Sequence, residues 1–318
     1  MSVSVARREV LYQGQRGGGE TGLGIDGRNG SAGLRCVAPL GLALGEGALW
    51  LERDAFGGPA FWCVDILGCR IWRFDPATDT ALSWAAPAMP GFVAPLPDGC
   101  FVAGLPDGLH RFDPRDGSFS LICTVEADRP GNRLNDAHVD SRGRLWFGSM
   151  NLAETAPTGA LYLAEGLVAG APVPRRVDDG YVVTNGPATS PDGAVLYHAD
   201  SAHQVIYAFD RHDDGRLEGR RVFVRLDQGY PDGLAVDVEG HVWAGIWAGG
   251  RVMRFAPDGR VSAVQTIPVD NVTKLAFGGP DRRTAWVTTA RKGSSAPLAG
   301  GIFTFPLDVP GLAQNILA

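Results

Sequence analysis

The 318-residue sequence has no apolar run near the about 20 residues that a membrane-spanning helix needs, and its N-terminus lacks the apolar core of a signal peptide. Positive charge is also limited: 29 Lys and Arg residues, scattered along the chain, stand against 35 Asp and Glu residues, giving a net charge of −6. This balance argues against nucleic acid and anionic membranes as partners. The sequence therefore predicts a cytoplasmic protein that acts on a small molecule.

Cysteine is scarce, and the common nucleophile and zinc motifs are absent. Five cysteines, an odd number without a CxxC pair, indicate neither a disulfide framework nor a thiolate zinc site. No G-x-S-x-G string occurs, which argues against the nucleophile elbow of α/β serine hydrolases. His198 and His203 lack the spacing of a helical HExxH zinc site. Candidate functional residues must therefore be sought among other residue types.

The N-terminal segment differs in composition from the rest of the chain. Residues 13–33 are rich in glycine and almost free of large apolar side chains, so burial cannot offset the entropy lost on ordering them. The GETGLG string in this segment has no preceding strand and no following helix, which argues against a dinucleotide site. We expect residues 1–33 to be a flexible leader and residues 34–318 to form one domain.

Short alternating apolar and polar runs, separated by glycine-containing turns, continue from Arg35 onward without a convincing helical period. One unit recurs six times, with an aromatic residue in its second strand: Trp62, Phe101, Trp146, Tyr197, Trp243 and Trp286. These residues lie 39 to 51 positions apart, which is typical of four-stranded blades. The sequence predicts an all-β, six-bladed β-propeller with antiparallel blades, its ring closed by an N-terminal strand within residues 34–39.

Polar residues recur where the innermost strand of several blades begins. Asn135, Asn185 and Asp232 lie 11 or 12 positions before the aromatic residue of their blade, and Glu46 lies at the start of the first inner strand. Asn and Asp are also common in turns, so none of them alone indicates a ligand. Inner strands surround one channel, where these oxygens are expected to converge. Such hard ligands suit one divalent metal ion: Ca2+, Mg2+, Mn2+ or Fe2+, or Zn2+ where water completes the shell.

Four segments carry a resemblance to a known family. LGEGALW, RLNDAHVDSRGRLWFGSM, TNGPATSPDGAVLYHADS and YPDGLAVDVEGHVWAGIW resemble the motifs of the SMP-30, gluconolactonase and luciferin-regenerating enzyme family, and especially its bacterial sugar-lactonase, xylonolactonase-like branch. The resemblance covers residues 44–305 and keeps the order of the motifs. It implies a six-bladed propeller with one metal ion held by Glu46, Asn185 and Asp232.

The resemblance also implies roles for residues around the metal. Asn135 matches a position that contacts the substrate or the metal, and Arg133 matches a substrate-binding position. These two residues are two positions apart and so share one face of a strand. Glu154 matches a further substrate-binding position. Asp232 is the candidate catalytic base, which would accept a proton from the attacking water.

The predicted activity is the metal-dependent hydrolysis of a sugar lactone to its aldonic acid, with a pentono- or gluconolactone as substrate. Organophosphate or aryl-ester hydrolysis at the same metal is the second hypothesis, and a non-catalytic calcium-binding propeller is the third. Arg133 and the amides favour a polyol substrate. Lys274 and Lys292 could line the mouth of the pocket, but we expect both to be solvated lysines. The sequence leaves open the preferred lactone, the metal used in the cell, and the choice between a monomer and a weak dimer.

Overall fold

The computed structural model describes residues 9–13, 33–170 and 172–318. Within these ranges the chain forms 25 β-strands and one 3-10 turn at Ser201–His203. The strands belong to six separate antiparallel sheets that follow one another along the chain. The fold is therefore a six-bladed β-propeller, which confirms the prediction from the repeat. In the described part of the chain no helix is long and apolar enough to cross a membrane.

Each of the first three blades runs from an inner strand beside the channel to an outer strand at the rim. The strands β1 (Glu9–Gln13) and β2 (Arg35–Ala38) precede them. The first blade contains β3 (Gly45–Leu51), β4 (Ala60–Asp65), β5 (Arg70–Asp75) and β6 (Thr80–Ala85). The second contains β7 (Phe92–Pro95), β8 (Phe101–Leu105), β9 (Gly108–Asp113) and β10 (Ser118–Thr124). The third contains β11 (Asn132–Val139), β12 (Leu145–Asn151), β13 (Gly159–Ala164) and β14 (Arg175–Tyr181).

The remaining three blades repeat this order. The fourth contains β15 (Thr184–Thr189), β16 (Val195–Asp200), β17 (Val205–Arg211) and β18 (Leu217–Arg225). The fifth contains β19 (Tyr230–Val236), β20 (Val242–Trp247), β21 (Arg251–Phe255) and β22 (Val261–Thr266). The sixth contains β23 (Asn271–Gly278), β24 (Thr284–Ala290) and β25 (Ile302–Pro306).

Two N-terminal strands join the sixth and first blades, and the first of these pairings closes the ring. Strand β2 pairs antiparallel with β25, so the sixth blade takes its outermost strand from the other end of the sequence, as predicted for residues 34–39. Strand β1 pairs with β6 and adds a fifth strand to the first blade. The rest of the expected leader, residues 1–8 and 14–32, lies outside the described residues. Stacking of Trp50 on Trp286, with ring centroids 5.1 Å apart, joins the first and last blades.

The hydrophobic core lies between neighbouring blades. The six aromatic residues of the repeat occupy the second strand of each blade, and none is more than 7% exposed. Four of them contact aromatic rings of an adjoining blade: besides Trp286 on Trp50, Trp62 lies 4.6 Å from Phe101, and Trp243 lies 6.1 Å from Phe277, centroid to centroid. Burial of each large apolar side chain contributes roughly 1.5–3 kcal/mol. The blades are therefore held in a ring by side chains that the sequence repeats.

A buried aspartate fixes the repeated tryptophan in several blades. Asp140 Oδ2 accepts hydrogen bonds from Trp146 Nε1 at 2.9 Å and from Arg144 Nε at 2.8 Å. In the fifth blade Asp237 Oδ2 accepts from Trp243 Nε1 at 2.8 Å. These aspartates begin the DSRG and DVEG turns that lead into the second strand. The turn motif therefore has a structural role, because its carboxylate satisfies the buried indole N–H group.

His198 is fully buried in the fourth blade and has no polar partner among the described residues. It is 0% exposed, neither ring nitrogen has a hydrogen-bond partner, and its ring packs edge-on against Tyr181 at 4.8 Å. Burial, assisted by the charge of Arg220, lowers the pKa of His198 to about 3. The unfolded chain therefore binds a proton at this residue at a higher pH than the folded chain does.

This difference predicts a pH-dependent loss of stability. The contribution of neutral His198 is present above the unfolded pKa of about 6.5 and is lost as the pH falls from that value toward 3, at about 1.4 kcal/mol per pH unit. Between pH 7 and pH 5, His198→Phe should lose about 2 kcal/mol less unfolding free energy than the wild type does. Urea unfolding at both pH values measures this difference, with the partly exposed His212→Phe as the matched control. Equal losses in the wild type and His198→Phe would contradict it.

Candidate active site

The inner strands of five blades carry a one-residue bulge at the same height in the channel. In β3, β11, β15, β19 and β23, three residue steps are paired with two steps on the neighbouring strand. The irregular segments are residues 46–49, 134–137, 185–188, 231–234 and 272–275. Strand β7 of the second blade pairs without such a shift. A bulge bends its strand and re-aims its side chains, so the candidate ligands lie where the strands turn toward the channel.

All six residues singled out from the sequence line one cavity of about 350 Å³ at the N-terminal ends of the inner strands. They are Glu46, Arg133, Asn135, Glu154, Asn185 and Asp232. The rest of the lining was not predicted from the sequence, except for Lys292, and consists of Leu44, Ile66, Met150, Val183, Ser201, Ala202, Tyr230, Trp247 and Lys292. The cavity therefore combines a polar floor with a partly apolar wall.

Two carboxylates share the floor of the cavity. Glu46 is 4% and Asp232 is 6% exposed. Glu46 Oε2 accepts a hydrogen bond from the Gly47 N–H at 2.7 Å, whereas the buried Oε1 has no hydrogen-bond partner. Burial, followed by the nearby Asp136 charge, raises the pKa of Glu46 to about 7. Burial and the Glu46 charge raise the pKa of Asp232 well above its usual value. The two acids therefore destabilise each other when both are charged.

The two amides are oriented by a chain of hydrogen bonds that runs from blade to blade. Asn135 Nδ2 donates to Asn185 Oδ1 at 2.7 Å and to the Thr184 carbonyl oxygen at 2.6 Å. Asn185 Nδ2 donates to Ser201 Oγ at 2.9 Å, and this hydroxyl donates to the Pro231 carbonyl oxygen at 2.6 Å. Each NH2 group is thus occupied by protein acceptors. The amide oxygen of Asn185 retains a second lone pair for a ligand.

The donor set fits a hard divalent cation. Glu46 Oε1 is a buried charged-group oxygen without a partner, and such an atom is costly unless a cation or a donor meets it. Two carboxylates with amide oxygens are the ligands that calcium, magnesium and manganese prefer. Among the described residues no three His, Cys, Asp or Glu side chains form a metal-binding group. Any ion at this site would therefore depend on amide ligands in addition to the two acids.

Arg133 lies beneath the cavity surface. It is 6% exposed, and its Nη1 donates to Asn135 Oδ1 and, at 3.2 Å, to the Leu134 carbonyl oxygen. Burial lowers the pKa of Arg133 to about 10, while the charge of Glu154 acts in the opposite direction. The group remains cationic at neutral pH. It is therefore a fixed donor and positive charge beside the two acids, rather than a surface ion pair.

Glu154 lies at the mouth of the cavity. Its Oε1 is 3.1 Å from Lys292 Nζ of the sixth blade, and both side chains are about half exposed. Lys292 Nζ also lies 5.9 Å from the ring centroid of Trp247. Glu154 has a backbone φ of 57°, a left-handed conformation that is uncommon for residues other than glycine. The mouth is therefore framed by groups that can donate, accept and stack.

Lys274 differs from the expectation for a solvated lysine at the pocket mouth. It is 7% exposed and forms an ion pair with Asp136, which is 2% exposed. Both line a second cavity of the channel, which adjoins the C-terminal halves of the inner strands. The sequence prediction for Lys274 was wrong because the bulge at residues 272–275 turns this side chain inward. Asp136 was overlooked, although it directly follows Asn135 in a bulged strand.

Comparison with known protein families shows to which family this chain belongs. The model of the SMP-30/gluconolactonase/LRE-like region matches residues 44–291, which include all six predicted site residues. The chain belongs to this family. The resemblance inferred from the four sequence motifs is thereby confirmed.

Individual members of the family share about a third of their residues with this chain. A 6-deoxy-6-sulfogluconolactonase of Pseudomonas putida is 33% identical over 90% of this chain and 98% of its own length. An L-arabinolactonase of Azospirillum brasilense is 33% identical over 85% of this chain and 90% of its own length. The crystal structure of regucalcin from Agrobacterium tumefaciens, described as a calcium-binding protein, superposes with a TM-score of 0.84 at 26% identity, covering 91% and 98% of the two chains.

Proposed function

We propose that this protein is a metal-dependent lactonase that hydrolyses a sugar lactone to the aldonic acid, with a pentono- or gluconolactone as substrate. The main support is the convergence of two buried carboxylates, two amides and a buried arginine on one cavity. Relatives that align over most of the chain are named as lactonases of sugar-derived substrates. A cytoplasmic location and a monomeric or weakly dimeric state stay predictions from the sequence.

The metal would be held by Glu46, Asn185 and Asp232, with Asn135 beside it. A bound dication would supply Lewis-acid polarisation of the lactone carbonyl. The candidates are Ca2+, Mg2+, Mn2+, Fe2+ and Zn2+, and the calcium-binding description of a structural neighbour favours the first of these. The unpartnered Glu46 Oε1 supports a cation at this point of the cavity.

The remaining chemistry is assigned to the side chains of the chain itself. Arg133 and Asn135 bind hydroxyl or carbonyl oxygens of the sugar and orient the lactone. Asp232 accepts a proton from the attacking water, whose oxygen bonds to the lactone carbonyl carbon as the ring C–O bond breaks. The ring oxygen takes this proton from Asp232 and leaves as a hydroxyl, and the product is an aldonic acid that releases one proton at neutral pH. Glu154 binds a substrate hydroxyl at the cavity mouth.

An aryl ester or an organophosphate is the alternative substrate class at the same site. The apolar wall formed by Ile66, Met150 and Trp247 is the observation that favours it. The buried guanidinium of Arg133 favours the polyol instead, because a charged donor without a polar substrate partner would be desolvated at a cost. A calcium-binding propeller without catalytic activity is the third possibility, and direct assay separates it from the two enzymes.

The proposal is tested by proton release in a pH-stat. Metal-stripped protein and protein resupplied with each candidate dication are assayed on xylono-, arabinono- and gluconolactone, with phenyl acetate and paraoxon in parallel. At least one sugar lactone should be opened at least about 10³-fold faster than its spontaneous hydrolysis, and only after metal is restored. Asp232→Ala should remove this acceleration. Stoichiometric metal binding without acceleration on any sugar lactone would overturn the lactonase, and activity on the other two compounds would then identify the alternative.

A further inference from the structure

A buried ion pair lies directly below the candidate site. Lys274 Nζ donates to Asp136 Oδ1 and, at 3.1 Å, to the Ala137 carbonyl oxygen. The second cavity, which both side chains line, has a volume of only about 90 Å³. Lysine and aspartate are seldom buried this completely, because desolvation of two charges is costly even when they are paired. The presence of the pair in this position therefore calls for a reason other than stability.

The pair contacts the inner strands of four blades. Asp136 belongs to the third blade and Lys274 to the sixth. Asp136 Oδ2 accepts a hydrogen bond from the Gly186 N–H of the fourth blade at 2.9 Å. The Lys274 stem packs on Gly233 of the fifth blade so closely that a Cβ atom there would lie 2.4 Å from Lys274 Cγ. The ion pair thus bridges the channel where the bulged strands converge.

These contacts are adjacent in sequence to the proposed metal ligands. Asp136, Gly186 and Gly233 each directly follow a residue whose side-chain oxygen faces the upper cavity. The backbone on the lower side of each bulge is therefore fixed by the ion pair, while the preceding side chain is directed upward. A shift of Asp136 would move the amide chain of the third and fourth blades together, because Asn135 donates to Asn185.

We propose that the Asp136–Lys274 ion pair supports the metal site from below. The pair positions the neighbouring ligand residues, and Lys274 neutralises Asp136, a carboxylate that is not itself a ligand. This inference rests on the proposed function, because it assumes that a dication binds above the pair. Asp136 and Lys274 are positioning residues, since neither lines the upper cavity.

The charge of each partner gives the proposal a distinctive test. With the pair intact, Glu46 and Asp232 present two negative charges to a divalent cation. Asp136→Asn leaves the Lys274 ammonium uncompensated beneath the cation, while the new amide oxygen can still accept from the Gly186 N–H. Lys274→Met removes the positive charge but preserves the apolar stem against Gly233. Charge and packing are thereby changed separately.

Metal affinity is measured by isothermal titration of the metal-stripped full chain with Ca2+ and with Mn2+. Asp136→Asn should bind at least about tenfold more weakly than the wild type, because a nearby positive charge repels the dication. Lys274→Met should bind at least as tightly as the wild type. The double variant Asp136→Asn/Lys274→Met should return to within about threefold of the wild type, because neither charge remains. A purely structural role would instead make the double variant weaker than either single variant.

Two results would overturn the inference: an Asp136→Asn variant with wild-type affinity, or a double variant that binds no better than Asp136→Asn. Asp140→Asn is the matched control, because Asp140 is also buried and ion-paired in the third blade but lies outside the upper cavity. Its thermal stability should fall while its metal affinity stays unchanged. If the wild type binds neither of these metals nor Mg2+, Fe2+ or Zn2+, the proposed function fails; if the wild type binds and Asp136→Asn binds equally well, only the ion-pair inference fails.

Discussion

Asp232→Asn is expected to reduce kcat for sugar-lactone hydrolysis by about 10³-fold even when the metal is supplied in excess. The substitution keeps the size of the side chain and one oxygen, so a metal ion can still bind, although more weakly, through Glu46 and Asn185. It removes the basic carboxylate that would accept a proton from the attacking water. The pH-stat assay at saturating metal measures the loss in kcat, and isothermal titration measures metal occupancy in the same sample.

The comparison with a second buried aspartate of the fifth blade separates chemistry from folding. Asp237 is 0% exposed and holds Trp243 and Arg254, outside the cavity. Asp237→Asn should lower stability and leave kcat unchanged for the fraction of protein that is folded. Near-full turnover by Asp232→Asn with metal bound would remove Asp232 as the base. If the variant binds no metal at any concentration, Asp232 is an indispensable ligand, and the catalytic base is another group.

The propeller was predictable because large buried side chains recur at the same position in each blade. Trp62, Trp146 and Trp243 follow one another at intervals of two blades, and each requires a partner for its indole N–H and a neighbouring blade for its ring. Ring closure was predictable for a related reason: a sixth blade with three strands would expose an unpaired edge. The strand β1 was not predicted, because it is short, belongs to no repeat unit and lies just before the glycine-rich segment.

The candidate ligands were found from spacing, but their surroundings were not. The distance of Asn135, Asn185 and Asp232 from their blade's aromatic residue placed them at one height in the channel. The bulges that turn these side chains inward add one residue without any sequence motif, so the inward direction of Lys274 could not be derived from alternation. In a regularly alternating strand, the Lys274 side chain would lie on the face opposite to the one that it occupies. Asp136 follows Asn135, whereas the other candidate ligands are each followed by glycine. This difference is the signal that could have singled out Asp136 and suggested a partner for it.

Glu46→Gln is expected to stabilise the metal-free protein while removing its response to metal. Glu46 and Asp232 are buried together, and the pKa of each is raised, so charging both acids opposes folding. A neutral amide removes this repulsion and can donate to Asp232. We expect the metal-free variant to gain on the order of 1–3 kcal/mol of unfolding free energy at pH 8. Activity would be lost at the same time, as is common where a functional site is destabilising.

The variant is expected to gain metal-free stability and to lose its response to metal. Non-specific destabilisation of the fold would not produce both effects together. At 100 times its Kd, a metal ion adds about 2.7 kcal/mol to the stability of the wild type. If Glu46→Gln raises the Kd about 100-fold, the same metal concentration adds only about 0.4 kcal/mol. Urea unfolding with and without metal measures both terms, with the exposed Glu52→Gln as control. A metal-free variant less stable than the wild type would contradict the repulsion between the two acids, and an undiminished response to metal would mean that Glu46 is not a ligand. The concurrence of higher metal-free stability and lost metal response would instead identify the two carboxylates as a pair whose repulsion is tolerated because a cation relieves it.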